Sequence, residues 1–173
     1  MTSQTNLIEF YESTGTDSSD RKIERIHAMS YAELESVHDY IQWLFPLMTT
    51  SNFNANSPVL NSETITAFLA RPELRAMLLR SFRVMLRFYG LTLDDDDPED
   101  IVVSKATTFS ERSRFWLTPR NHNYLRLTRI MTSLSILGCG SHASALQRFL
   151  VDLYREAGGR IGVDSVEHCR KAV

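Results

Sequence analysis

Residues 72–90, PELRAMLLRSFRVMLRFYG, form the stretch that decides the class of fold. Apolar side chains recur in it every three or four residues, which is the spacing of one helix face, and Arg80, Arg83 and Arg87 share the opposite face. Proline is favoured at the first position of a helix, and glycine just after the last. The stretch therefore predicts an amphipathic helix from Pro72 to Tyr89, which Gly90 ends.

Further helices are predicted on both sides of this one. Ser30, followed three residues later by Glu33, forms a capping box, and helical spacing continues from there until Pro46 stops the element. A second capping box, Asp164 with Glu167, predicts a short helix near the C-terminus. Weaker helical patterns occupy residues 21–28, 62–70, 109–117, 121–137 and 141–156.

Strand signals are scarce in the chain. The run Ile101-Val102-Val103 is compatible either with a short strand or with the start of a helix. At 173 residues the chain has the length of one domain with one core. We therefore expect an all-α fold, a single compact domain over residues 1–173 with about six to eight helices around one core. Residues 157–173 are expected to form a C-terminal linker and the short helix.

The charge balance bears on the choice of partner. A net charge of −2 provides no general attraction to nucleic acid. Basic and aromatic residues are interleaved over 105–131, which could serve single-stranded nucleic acid, but the aromatics are as easily explained as core residues. We regard nucleic acid as an unlikely partner.

The two cysteines and the N-terminus bear on compartment. Cys139 and Cys169 lie far apart without a CxxC pair or histidines at ligand spacing, so buried reduced thiols are favoured over a metal site. The first ten residues lack the basic end and apolar run of a signal peptide. No stretch approaches the ~20 apolar residues of a membrane span. These patterns predict a cytoplasmic protein without a transmembrane segment.

A polar stripe on helix 121–137 is the main candidate site. His122, Arg126, Arg129 and Ser133 follow one another at helical spacing, and Asn123 projects into the apolar face. A histidine and two arginines near a helix N-terminus could hold a carboxylate or phosphate. Alternatively, the arginines pair with the domain's own acids, for which the acidic loop 94–100 is a ready partner.

The case for an enzyme is thin. The chain has no GxSxG, GxGxxG, Walker A or HExxH motif, and we expect no metal, no cofactor and no catalytic residue. His38 and His122 could meet as an acid–base pair, although a histidine on an apolar face is more often a packed, hydrogen-bonded one. We favour a protein without catalytic activity and keep this pair as an alternative.

Three ordered stretches carry a family resemblance. They are LESVHDYIQWLFP at 34–46, RSFRVMLRFYGL at 80–91 and NHNYLRLTRIMTSLSILG at 121–138, with SNFN at 51–54, PVL at 58–60 and FY at 10–11 in support. Together they resemble the conserved region of the opioid growth factor receptor family, over residues 10–156. Because the chain is nearly all domain, it is similar to the stand-alone, single-domain members of bacterial or fungal type.

The resemblance implies a function in binding rather than in catalysis. Founding members of the family are described as receptors for an enkephalin-type growth factor, and no catalytic residues are established for it. We therefore expect a binding module for a peptide or a small anionic ligand. Its candidate ligand-binding residues are His38, Gln42, Trp43, His122, Asn123, Arg126 and Arg129. The alternative is a structural domain that binds a protein partner and no small ligand, in an unknown oligomeric state.

Overall fold

The structure, a computed structural model, describes residues 5–51, 54 and 56–157. These residues form nine helices and two strands in a mostly helical chain. In chain order they are α1 Thr5–Tyr11, α2 Ile23–His27, α3 Tyr31–Ser36, α4 Ile41–Leu44, α5 Ser62–Ala70, α6 Pro72–Tyr89, β1 Leu91–Asp94, β2 Val102–Lys105, α7 Phe109–Trp116, α8 Asn123–Ile136 and α9 Gly140–Glu156. The chain divides into two compact units, Met1–Ser81 and Phe82–Val173.

The prediction of an all-α fold is wrong, because β1 and β2 pair as an antiparallel sheet. Leu91 lies opposite Lys105, and Asp94 lies opposite Val102. The run at 101–103 therefore takes the strand alternative, which suits β-branched side chains. The nine helices also exceed the expected number. The prediction of a single domain over residues 1–173 stays a prediction.

The predicted helix from Ser30 to Pro46 is interrupted. Its capping box is confirmed, since the Ser30 hydroxyl accepts from the Glu33 amide at 3.2 Å and the Glu33 carboxylate accepts from the Ser30 amide at 2.8 Å. Val37 then leaves the helix with φ −89° and ψ 133°. The Tyr40 hydroxyl donates to the Leu34 carbonyl at 2.8 Å, so a buried side chain replaces the helical hydrogen bonds across the bend.

Aromatic side chains form much of the core of the unit Met1–Ser81. The Tyr11 hydroxyl donates to the Leu44 carbonyl at 2.6 Å and thereby ties α1 to the end of α4. The Tyr11 ring meets the Phe68 ring edge-on at 4.8 Å, and the Phe10 ring meets Trp43 at 5.3 Å. Asn61 caps α5, because its side chain accepts from the Thr64 amide at 2.8 Å.

The unit Phe82–Val173 is organised around the end of α6. Gly90 follows the helix with φ +76°, and an added Cβ would lie 2.8 Å from the Phe109 Cα atom. The last carbonyls of α6 accept from two side chains of α7, Arg112 at Phe88 (2.9 Å) and Trp116 at Tyr89 (3.0 Å). Helix ends leave carbonyls without helical partners, and here buried side chains supply the donors.

Some predictions fall outside the described residues. These are the capping box at Asp164 and Glu167, the terminal helix beyond residue 157, and Cys169. Cys139 is described, is buried and forms no disulfide bond with another described residue. No helix in the described part of the chain combines the length and the apolar character needed to cross a membrane.

Candidate ligand site

The start of α8 is held by amide side chains. The side-chain oxygen Oδ1 of Asn121 accepts from both the backbone and the side-chain N–H of Asn123, each at 3.0 Å. The Asn121 amide nitrogen donates to the Phe115 carbonyl at 2.9 Å and to the Thr118 hydroxyl at 3.0 Å. Asn121 therefore joins α7 to the first turn of α8.

Asn123 is fully buried, and its amide is used structurally. Its oxygen accepts from the Tyr89 hydroxyl at 3.3 Å, and its nitrogen lies 3.4 Å from His122 Nε2. Because Tyr89 ends α6, this contact links α6 to α8. The buried amide on the apolar face thus has the partners that such a group requires.

The backbone amides in the first turn of α8 already donate hydrogen bonds to backbone carbonyls of the chain. Leu125 and Arg126 donate their amide N–H groups to the His122 carbonyl, at 3.1 and 3.4 Å. Tyr124 donates to the Asn121 carbonyl at 3.2 Å. An anion at this end of α8 would therefore be held by side chains rather than by these backbone amides.

Two arginines carry the positive charge of the stripe. Arg126 is only 5% exposed. Arg129 is half-buried, and the loss of water around its guanidinium lowers its pKa. Ser133, further along the same stripe, is fully buried. The stripe is therefore a partly dehydrated cationic strip along one helix.

The acidic loop after β1 has its own partners. Asp95 accepts two hydrogen bonds from Arg83, at 2.5 and 2.8 Å, and lies 3.3 Å from His142 Nε2. Arg83 lies on α6 and His142 on α9, so the carboxylate fixes the loop between two helices of its unit. These contacts hold the loop at Asp95.

The other three predicted site residues lie in the unit Met1–Ser81. His38 is exposed in the link between α3 and α4. Gln42 is buried, and with its amide oriented to satisfy both ends it donates to the backbone oxygens of His38 and Asp39, at 3.1 Å each. Gln42 therefore holds the turn before α4. Because His122, Asn123, Arg126 and Arg129 belong to the other unit, a single site containing all seven residues stays a prediction.

Residues of the loop after α1 were missed by the sequence-based reasoning. Asp17 and Asp20 lie with Glu9 and Trp43 around a cavity of about 420 Å³. In the sequence, residues 12–20 read only as a polar loop, and nothing in their spacing relates them to Trp43. Within the described residues, no three His, Cys, Asp or Glu side chains gather as metal ligands would.

Comparison with known proteins identifies a consistent set of relatives. The family model for the opioid growth factor receptor conserved region matches residues 2–160. The mouse opioid growth factor receptor is 37% identical over 123 residues, which are 71% of this chain and 19% of that protein. The rat opioid growth factor receptor-like protein 1 is 38% identical over 122 residues, which are 70% of this chain and 25% of that protein.

A frog relative extends the set. The opioid growth factor receptor-like protein 1 of Xenopus tropicalis is 40% identical over 109 residues, which are 62% of this chain and 20% of that protein. The matched segments thus span about a fifth to a quarter of the length of these relatives. No solved structure matches the chain at a significant level.

Proposed function

The chain belongs to the opioid growth factor receptor conserved-region family, and from that premise we propose that it is a non-enzymatic domain that binds a peptide or small anionic ligand. One of its relatives is named as a growth factor receptor and another as a receptor-like protein. The described residues of α8 offer a cationic strip of the kind that binds a carboxylate. Family and charge therefore support the same class of ligand.

The dehydration of Arg126 and Arg129 is the observation that carries this proposal. The two residues are three positions apart, so they lie on one side of α8. Taking a guanidinium out of water is costly, and the lowered pKa of Arg129 reflects that cost. A carboxylate or phosphate can form two parallel hydrogen bonds with a guanidinium. We therefore expect the strip to prefer an anionic ligand to a neutral or cationic one.

Thermal unfolding with added anions tests the proposal. Sulfate, phosphate and an acidic peptide with a free carboxylate are each titrated against the intact chain. At a ligand concentration ten times Kd the folded state gains about 1.4 kcal/mol, which raises Tm by roughly 3–6 °C for a protein of this size. Sodium chloride at matched ionic strength separates site binding from screening. If no anion raises Tm beyond that control, the proposal is wrong.

Arginine variants locate the effect. Arg126→Ala with Arg129→Ala should remove the Tm increase, whereas Arg114→Ala, at an exposed position on α7, should retain it. Since Arg126 is buried, the double variant could lose its fold. The half-buried Arg129→Lys provides the second measurement, because lysine keeps the charge but loses the paired hydrogen bonds. A full anion response in both Arg129→Lys and the folded double variant would contradict the proposal.

A protein-interaction domain without a small ligand is the second candidate. Phe115 and Leu125, which are 57% and 56% exposed, favour it. Large exposed apolar side chains are common at protein interfaces. In that case, anions would not raise the Tm of the wild type, and substitution of the two arginines would only lower stability. Phe115→Ser with Leu125→Ser would abolish capture of a partner protein.

Other predictions made from the sequence keep that status. A cytoplasmic location and a bacterial or fungal type are not established by the relatives named above, which are vertebrate proteins. The acid–base pair of His38 and His122 joins residues of two different units. Turnover of a substrate that is lost on His122→Asn would support it.

A further inference from the structure

Strand β2 has one side that does not pair with β1. The Ala106 amide donates to the Gly90 carbonyl at 2.9 Å, so these two opposite residues form a hydrogen-bonded pair. In an antiparallel ladder such pairs alternate with pairs whose N–H and C=O groups point away from the partner strand. Counting along the register, the backbone groups that point away from β1 belong to alternate residues, Ile101, Val103 and Lys105.

The outward backbone groups of β2 are largely unused. Those of Val103 and Lys105 form no hydrogen bond with another described residue. The Ile101 carbonyl accepts from the Arg148 side chain of α9 at 3.0 Å. A row of unpaired N–H and C=O groups along a strand is a template on which a further strand can pair. The chemistry of this edge therefore matches an extended polypeptide.

A cavity of about 310 Å³ is lined by both β2 and α9, which belong to the same compact unit. The three residues whose backbone groups point away from β1 all line it, and α9 contributes an apolar wall of Ala145, Phe149 and Leu153. The volume lies at the lower end of the range of ligand sites, which is roughly 300–1,000 Å³. We call this cavity with the adjoining edge of β2 the β2–α9 groove.

Side-chain contacts between β2 and α9 mark the two ends of the β2–α9 groove. At one end Arg148 reaches from α9 to the Ile101 carbonyl. At the other end Lys105 forms an ion pair with Glu156 at 2.7 Å. The strand between Ile101 and Lys105 is about 14 Å long at roughly 3.4 Å per residue. The groove therefore has the length of an extended segment of about five residues.

The charges of the β2–α9 groove favour a basic segment. Its lining contains three acids and two bases, which are Asp100, Asp152, Glu156, Lys105 and Arg148, and these leave a net charge of −1. The Lys105–Glu156 ion pair offsets one charge of each sign. Asp100 forms no ion pair within the described residues, and Asp152 pairs with the exposed Arg155 at 3.1 Å. Exposed ion pairs are weak, so both carboxylates can attract a basic side chain.

We propose that the β2–α9 groove binds an extended, basic segment of a partner protein, which adds to the sheet as a third strand antiparallel to β2. The segment residue opposite Val103 exchanges both backbone hydrogen bonds with it. Opposite residues place their side chains on the same face, so this residue packs against the apolar wall of α9. Residues two positions away on each side point to the same face and carry the basic side chains. The groove uses no residue of the α8 strip, so either proposal can fail alone.

Nuclear magnetic resonance (NMR) of the β2 amides tests the proposal. The peptide acetyl-Lys-Thr-Val-Thr-Lys-amide carries the proposed pattern and is titrated against the ¹⁵N-labelled intact chain. We expect the amide protons of Val103 and Lys105 to move downfield on a saturating curve and to exchange with solvent at least tenfold more slowly, because each gains an acceptor. The Ser104 amide points to β1 in the register, so it should change little and is the internal control.

Altered peptides separate strand pairing from attraction between charges alone. In the proposed register the valine N–H of the peptide faces β2, whereas both threonine N–H groups face away from it. N-methylation at valine should therefore weaken binding at least tenfold, because the methyl group removes a donor and blocks close approach. N-methylation at either threonine should change binding less than twofold. Replacing both lysines of the peptide by glutamate should weaken binding at least tenfold.

Variants of the chain test the same contacts from the protein side. Asp100→Asn with Asp152→Asn should weaken peptide binding at least fivefold, whereas Glu111→Gln, at an exposed acid of α7 outside the lining, should leave it unchanged. Val103→Pro removes one outward N–H, a change that edge strands can accommodate, and should weaken binding at least tenfold. Val103→Thr keeps that N–H and the branched shape, so it should retain binding. If Val103→Pro fails to fold, the N-methylated peptides still test this contact on the wild type.

Three results would overturn the proposal. Equal binding of the peptides methylated at valine and at threonine would mean that the edge of β2 is not used. Val103 and Lys105 amides that exchange as slowly as the Ser104 amide in the free chain would mean that the edge is already paired, and analytical ultracentrifugation would then show whether a second copy pairs with it. The third result is that the peptide at millimolar concentration leaves the Val103 and Lys105 signals in place.

Discussion

The two tryptophans of this chain are equally buried and differently used. Trp116 is 1% exposed and Trp43 is 3% exposed, and each ring packs edge-on against an aromatic neighbour at 5.3 Å. The Trp116 N–H donates to the Tyr89 carbonyl at 3.0 Å, whereas the Trp43 N–H has no acceptor among the described residues. Burial alone therefore does not separate a structural tryptophan from a candidate ligand contact. The two are separated by whether the indole N–H has a hydrogen-bond acceptor.

The largest loss of stability is expected at Gly90, where the backbone at the end of α6 approaches α7, the helix that carries Trp116. Gly90→Ala places a Cβ 2.8 Å from the Phe109 Cα at a residue with φ +76°, so both strain and a clash must be relieved. We expect a loss of about 2–4 kcal/mol in the free energy of unfolding. Guanidinium denaturation followed by circular dichroism measures it. A loss below about 1 kcal/mol would show that α7 readily yields at this point.

The next largest difference in stability is expected between variants in which one or the other tryptophan is replaced by phenylalanine. Trp116→Phe and Trp43→Phe remove the same atoms from two buried sites, but only the first leaves a carbonyl, that of Tyr89, without its donor. Trp116→Phe should therefore cost about 1–2 kcal/mol more than Trp43→Phe. Paired denaturation curves give the difference. Equal losses would mean that the Trp43 N–H has an acceptor after all.

A smaller loss of stability is expected when a hydrogen bond next to Trp43 is removed. Tyr11→Phe removes the hydroxyl that donates to the Leu44 carbonyl at 2.6 Å, one residue after Trp43. We expect a loss of about 1 kcal/mol, together with a shift of the Trp43 indole N–H signal in the NMR spectrum and none of the Trp116 signal. Tyr31→Phe, at an exposed tyrosine of the same unit, is the matched control and should leave both indole signals in place.

The smallest change in stability is expected when the pH is lowered. Ion pairing with Arg25 and hydrogen bonds from Ser30 lower the pKa of Glu33 from 4.5 to about 2. A carboxyl group with a lowered folded pKa stabilises the fold above its unfolded pKa, and this is lost as pH falls from about 4.5 towards 2. Tm measured across that window should fall less steeply for Glu33→Gln than for the wild type. Glu99→Gln, in the exposed loop after β1, is the control and should follow the wild-type slope.

Local signals in the sequence predicted much of the helical structure. The capping box at Ser30 and Glu33 and the helix Pro72–Tyr89 with its terminal glycine follow from contacts within a few residues, and both are confirmed. Features set by distant partners were not predicted. Val37 leaves the helix where the Tyr40 hydroxyl bonds to Leu34, and β2 forms because β1 lies beside it.

The residues of the candidate sites also divide into those that local sequence predicted and those that depend on distant contacts. Helical spacing predicted that Arg126 and Arg129 share a side of α8, and it placed Asn123 on the buried face. The cavity beside Trp43 depends on a loop that is held by a local ion pair between Asp17 and Arg21 and by a long-range one between Arg21 and Asp39. No periodicity encodes such a contact, so Glu9 and Asp20 could be recognised only once the loop had a position.

Helix α6 has a consequence for attempts to dissect the chain. The boundary between the two units falls after Ser81, inside the helix Pro72–Tyr89 and not in a linker. Cutting there would expose unpaired carbonyls on one fragment and unpaired amides on the other, and would divide an amphipathic face across two polypeptides. Protein engineers seeking either unit alone should therefore carry the whole helix Pro72–Tyr89 with each fragment.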